Sequence, residues 1–156
     1  MRKIEKIYIH CSATPPSMDV DADTIKKWHT AEPPNGNGWS DIGYHFVIGR
    51  SGEIESGRAL DKVGAHVKGD NKFSIGICYV GGVDDDGQPS NNMSRMQRAA
   101  IVRIVRSLRI VLNTPLELVG HNDDPKTNKA CPSFKVCDEF ADLVSWLQHY
   151  DANKNG

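Results

Sequence analysis

No run of apolar residues in this 156-residue chain approaches the roughly 20 needed to cross a bilayer, so the sequence holds no candidate membrane-spanning helix. Cysteine is scarce as well: there are four, Cys11, Cys78, Cys131 and Cys137, and no C-x-x-C pair among them. That is too few for a disulfide scaffold, so reduced thiols are expected, any of which could serve as a ligand. An excess of one charge is also missing, because 19 Lys and Arg nearly cancel 20 Asp and Glu to leave a formal charge of -1. This balance argues against a nucleic-acid binder held by a net positive field. The N-terminus lacks the continuous apolar segment of a secretion signal, since Met1 to Lys6 begins with charge and then alternates. Synthesis in the cytoplasm without such a signal is the expectation. Repeats, low-complexity tracts and long linkers are absent too, and the length suits one core. A single domain over residues 1–156 is expected, with its core at about 5–150 and a tail at 151–156.

What is present alternates between strand and helix patterns. Lys6 to His10 reads as a strand that delivers His10 and Cys11 at its C-terminal end. A helix follows from Asp21, with Ile25, Trp28 and His29 at helical spacing, and it must stop before Pro33-Pro34. Tyr44 to Ile48 and Glu53 to Ser56 form a hairpin around Arg50-Ser51-Gly52, and Phe73 to Val80 reads as a buried strand. Ser94 and Gln97 match a capping box at the head of a helix of some eighteen residues. Leu116 to Val119 is a short strand that runs into Gly120-His121, and an amphipathic helix spans about Val136 to Tyr150. This order indicates an α/β fold, a central mixed sheet with helices packed on its faces.

Of six histidines, His10 and His121 share the property of ending a strand, the place where sites collect on such sheets. Cys131 lies ten residues beyond His121, across an Asn/Asp-rich loop with one proline that is able to return its thiolate to the same end. Two imidazoles and a thiolate suit Zn²⁺ and leave a fourth position open, as in catalytic sites. By spacing alone a second reading stands beside this one, a partly buried structural histidine and a small core cysteine, because no C-x-x-C or H-E-x-x-H signature is present.

Five segments carry a resemblance. Ile9-His10-Cys11-Ser12-Ala13-Thr14, Trp39 to Phe46, Gly64-Ala65-His66, Ser74-Ile75-Gly76-Ile77-Cys78 and Lys129-Ala130-Cys131-Pro132-Ser133-Phe134 are similar, in order, to the zinc N-acetylmuramoyl-L-alanine amidases of the type 2 family, which include T7-type phage lysozymes and peptidoglycan recognition proteins. The resemblance runs from about residue 5 to 147. It implies a zinc site at one edge of the sheet formed by His10, His121 and Cys131, and catalytic roles for Tyr44 and Lys129. It implies hydrolysis of the amide between N-acetylmuramic acid and L-alanine in peptidoglycan, by a phage or prophage endolysin that reaches the wall after release. Zinc lowers the pKa of a bound water to about 7 and polarises a carbonyl, which makes amide hydrolysis feasible at neutral pH. His66 falls in a loop that the family uses to line its substrate groove. His45 is the weaker substrate-binding candidate, since strand alternation turns it away from Tyr44 and favours a packing role.

The remaining chemistry-bearing residues receive plainer readings. Cys11 and Cys78 are expected to be buried structural thiols, His29 a core residue and His149 a surface one. Asp123 and Asp124 either orient a ligand imidazole or form a solvated turn. Peptidoglycan is the expected partner, with neither nucleic acid nor membrane, and the chain is expected to be a monomer; nothing in the sequence speaks for or against a regulatory protein partner. Two other functions compete: a peptidoglycan-binding module without catalysis, and a cysteine hydrolase using Cys131 with His121, which would resist chelators.

Overall fold

The computed structural model describes residues 1–154. Its centre is β1 (Lys6–Cys11), which pairs in parallel with β4 (Ser74–Tyr79) on one side and with β5 (Glu117–Gly120) on the other. Beyond β4 lies β2 (Phe46–Ile48), parallel to it, and then β3 (Ile54–Ser56), antiparallel to β2. The five strands run in the order β3-β2-β4-β1-β5, the mixed sheet expected from the alternation of elements.

Alternation along the strands splits the interior into two layers. Ile7, Ile9 and Cys11 of β1, with Ile75, Ile77 and Tyr79 of β4, face the long helix α2 (Arg95–Leu112) through Ile101, Ile104, Val105 and Leu108. The opposite face carries Val47 and Cys78 against Ile25 of the shorter helix α1 (Ala22–Thr30). That is the face onto which the same alternation turns Tyr8 and His10. No helix among the described residues is long and apolar enough to cross a membrane.

Local chemistry sets the element ends. Asp21 caps α1 by accepting from the Thr24 amide at 2.8 Å, and Ser94 and Gln97 form the reciprocal box at the head of α2. The strand expected over Tyr44 to Ile48 is shortened to Phe46–Ile48. Its first two residues keep partners nonetheless, the His45 amide donating to Gly76 and the Tyr44 carbonyl accepting from Arg58. The single terminal helix expected from Val136 is two: α3 (Val136–Glu139) and α4 (Ala141–Lys154), with Phe140 out of helical geometry between them. Arg98 explains the break, since its guanidinium lies 5.1 Å from the Phe140 ring, takes the Glu139 carbonyl at 2.8 Å and reaches Asp142 at 2.7 Å. The expected tail is helical through Lys154, because Asp151 pairs with the buried Arg109; residues 155–156 lie outside the described residues.

Two buried polar side chains tie these layers together. Gln97 donates to the Ile48 and Val80 carbonyls at 3.1 and 2.9 Å while accepting from the Ser94 amide, which joins α2 to the ends of β2 and β4. His45, 1% exposed, accepts the Gly76 amide at Nδ1 and so carries its proton on Nε2, where it donates to the Lys62 carbonyl. Arg2 Nη2 lies 3.0 Å from the same Nε2, but both are then donors and the approach is packing, not a bond. Replacing Gln97 by Met leaves the buried Val80 carbonyl without a donor, while the Ile48 carbonyl keeps the Val80 amide, and should cost roughly 1–3 kcal/mol in urea denaturation; an unchanged midpoint would refute the tie.

Burial holds the His45 pKa down at about 4. The unfolded chain takes up this proton near pH 6.5, whereas the folded one refuses it until about 4, so this contribution is intact above 6.5 and falls away between 6.5 and 4. Its ceiling is about 3 kcal/mol. Urea midpoints of metal-free protein between pH 7 and 4.5 should therefore slope downward toward acid, and less so in His45→Gln. Equal slopes in the two proteins would exclude His45 as the cause.

Candidate metal centre and substrate groove

Parallel register brings the first two candidate ligands together. Ile9 of β1 lies opposite Gly120 of β5, so the next residues, His10 and His121, emerge side by side at the C-terminal ends of the strands, their ring centroids 4.8 Å apart. His121 opens a single 3₁₀ turn, His121–Asp123, that is closed when Asp123 accepts the Gly120 amide at 2.7 Å. Asp124 accepts from the Lys126 amide. Both acids thus form turns rather than orienting an imidazole.

Cys131 is returned to this point by backbone bonds. The Asn122 amide donates to the Cys131 carbonyl at 2.8 Å, the Asn122 side chain to the Phe134 carbonyl at 3.0 Å, and the Tyr79 hydroxyl to the Pro132 carbonyl at 2.7 Å. The Cys11 amide then points at Cys131 Sγ, 3.3 Å away, a donor suited to an anionic sulfur. Donor atoms of His10, His121 and Cys131 all fall within 4.8 Å of one another, and His10 Nδ1 stands 3.8 Å from Cys131 Sγ. Tetrahedral zinc separates its ligand atoms by roughly 3.3–3.6 Å, so small side-chain rotations close the set. The donor types and their spacing fit such an ion.

His10 is 1% exposed, whereas His121 and Cys131 are only partly covered, so the centre opens to one side. Burial, with His66 and His121 beside it, pushes the His10 pKa well down, which keeps the ring in the neutral form a metal requires. Tyr44 packs against His10 with centroids 5.0 Å apart and against His29 at 5.4 Å; His29 in turn accepts the Gly43 amide. Burial pushes the Tyr44 phenol well above its usual 10, so it stays a proton donor at neutral pH. Lys129 shares with His121 the lining of an open groove of about 800 Å³, together with Trp39, Lys68, Lys126 and Asp124.

The ring of His66 also borders this groove, but it is 9% exposed and its nitrogens are turned inward, toward His10 Nε2 at 3.0 Å and Ser74 Oγ at 3.4 Å. His45 lies behind it with both nitrogens held by backbone, which leaves none for a substrate. Cys11 and Cys78 are buried and His149 is exposed. The contacts of His66 with His10 and of the Cys11 amide with Cys131 have no periodic signature in the sequence. The one available hint was glycine at position 76 of a buried strand, where a Cβ would lie 2.8 Å from the His66 ring.

Both the sequence and the fold have counterparts in known proteins. A family model described as N-acetylmuramoyl-L-alanine amidase matches residues 1–134. The endolysin of Escherichia phage T7 is 42% identical over 147 residues, covering 92% of this chain and 85% of its own length. That of Enterobacteria phage K11 is 39% identical over 147 residues, with 94% and 87% covered. In structure, the N-acetylmuramoyl-L-alanine amidase LysC from Clostridium intestinale superposes with a TM-score of 0.75 at 24% identity, covering 94% of this chain and 87% of its own. Drosophila PGRP-LB shares the fold with a TM-score of 0.72 at 24% identity, over 94% and 82%. With a family model that spans most of its length and endolysin relatives near 40% identity, the chain belongs to the N-acetylmuramoyl-L-alanine amidase family.

Proposed function

We propose that this chain is an endolysin that hydrolyses the amide between N-acetylmuramic acid and L-alanine in peptidoglycan, using Zn²⁺ held by His10, His121 and Cys131. The observation that carries the reading is the convergence of these two imidazoles and one thiol, from positions 10, 121 and 131, at the open end of the sheet in a member of this family. When bound, the ion supplies Lewis acidity to the scissile carbonyl and to an attacking water. Tyr44, beside His10, offers a phenol that burial keeps protonated, and Lys129, beside His121, offers an ammonium group. Between them they hydrogen-bond the oxygen on which charge develops and deliver a proton to the leaving amine. Trp39 gives the groove an apolar wall, and Lys68, Lys126 and Lys129 outnumber Asp124, a balance that suits the carboxylates of stem peptides. The catalytic domain works as a monomer and acts on the cell wall after release.

Purified peptidoglycan digested with the protein and analysed by mass spectrometry should yield free stem peptides beginning with L-alanine. Chelation should abolish the products and zinc restore them. Chelator-resistant release would instead favour a cysteine hydrolase, and co-sedimentation with intact sacculi a binding module. Among variants, Cys131→Ala should lose both zinc and turnover. Tyr44→Phe and Lys129→Ala should keep zinc, measured by elemental analysis, while turnover drops on the order of 10²-fold or more. Full activity in zinc-free Cys131→Ala would sink the assignment.

A further inference from the structure

His66 is bonded at both ring nitrogens, and the chain of bonds can be followed from a backbone carbonyl to the metal centre. The Ser74 hydroxyl donates its only hydrogen to the Asp70 carbonyl at 2.8 Å. Toward His66 Nε2, at 3.4 Å, Ser74 Oγ can then act only as acceptor, so Nε2 carries the hydrogen. In the neutral ring Nδ1 is left bare, and that bare nitrogen lies 3.0 Å from His10 Nε2. His10 must therefore place its hydrogen on Nε2 and keep Nδ1 bare. His10 Nδ1 is the ring nitrogen that faces Cys131 Sγ, 3.8 Å away.

The ring has little freedom to abandon this role. It stands nearly perpendicular to His10, 5.0 Å between centroids, and packs on Tyr8 at 6.0 Å. Two glycines make its space: a Cβ at Gly64 would lie 2.7 Å from the ring, and one at Gly76 would lie 2.8 Å from it. The backbone on either side is pinned as well, since the Asn71 side chain accepts the amides of both His66 and Val67 at 2.8 Å.

We infer that His66 is a positioning residue for the metal centre: through Asp70, Ser74 and His66 the interior of the protein sets the tautomer of His10 and aims its Nδ1 lone pair at the ion. This rests on the zinc reading above and replaces the expectation that His66 contacts substrate. Outer partners that orient a ligating histidine commonly contribute 10- to 100-fold in metal affinity. His66→Asn keeps an acceptor where Nδ1 stood, whereas His66→Leu has none.

Zinc affinity of metal-free protein, read by competition with a chromophoric chelator, tests this without any substrate. His66→Leu should bind zinc about 10- to 100-fold more weakly than wild type, and His66→Asn within about threefold of it. Ser74→Ala, which frees the His66 tautomer, should fall between the two. Nitrogen-15 NMR of the wild type should find hydrogen on Nε2 of both His66 and His10, and this decides the matter should His66→Leu fail to fold. Wild-type affinity in folded His66→Leu, or hydrogen on His66 Nδ1, overturns the inference, as does a loss of muropeptide binding with zinc affinity unchanged. Wild-type protein that takes up no zinc overturns the metal reading and this inference with it, a result distinct from uptake indifferent to position 66.

Discussion

The arrangement of the site depends on the burial of β1 between two parallel neighbours. A strand covered on both faces and paired on both edges has no register to spare, because a slip of one residue would exchange Ile7 and Ile9 for Tyr8 and His10 across the sheet. With the register held, His10 has one place to go: the face shared with α1, level with Cys78 of β4 and beside the residue that follows Gly120 of β5. The parallel sense matters equally. It brings the C-terminal ends of β1 and β5 to the same end of the sheet, so two residues 111 positions apart become neighbours there.

Burying so many imidazoles on one face carries a cost that the structure offsets bond by bond. A charged histidine beside two others in the interior would lack both water and a counter-ion, and the pKa values fall accordingly, to about 4 at His45 and about 3 at His66. Neutral rings still need a donor and an acceptor each. Backbone supplies them for His45, while Ser74 and His10 supply them for His66. A buried polar row satisfied in this way specifies one arrangement, because a ring flip puts a C–H group where each accepting nitrogen stood and leaves its donor unpaired.

Much of this was legible in the sequence, and the limits have physical causes. Element order, the Ser94 and Gln97 box and the pairing of His10 with His121 at strand ends all rest on short-range patterns or on alternation, which a chain displays openly. The break at Phe140 did not, because it depends on Arg98, which sits 42 residues away on another helix. The three residues that converge at the sheet end were picked out by the family resemblance, whereas the support behind them was not. His66 looks like a loop histidine in sequence, and only the fold shows that Gly76, opposite Tyr8 across the strand pair, leaves the hole its ring enters.

A division of labour follows from where these groups reside. His10 and its supports stand on or against buried strands, whereas His121, Lys129 and Cys131 follow one another along a loop clasped by Asn122 and Tyr79. The groove-lining residues Lys68, Asp124 and Lys126 are on loops too. Changes there can alter which stem peptides fit without disturbing the orientation of His10, since no hydrogen bond in the path from Asp70 to His10 involves a groove-lining lysine. The reverse does not hold. A substitution at Gly76 or Ser74 touches no substrate, yet it moves the ring that aims a ligand, and sub-ångström errors in a ligand are what a metal centre tolerates least.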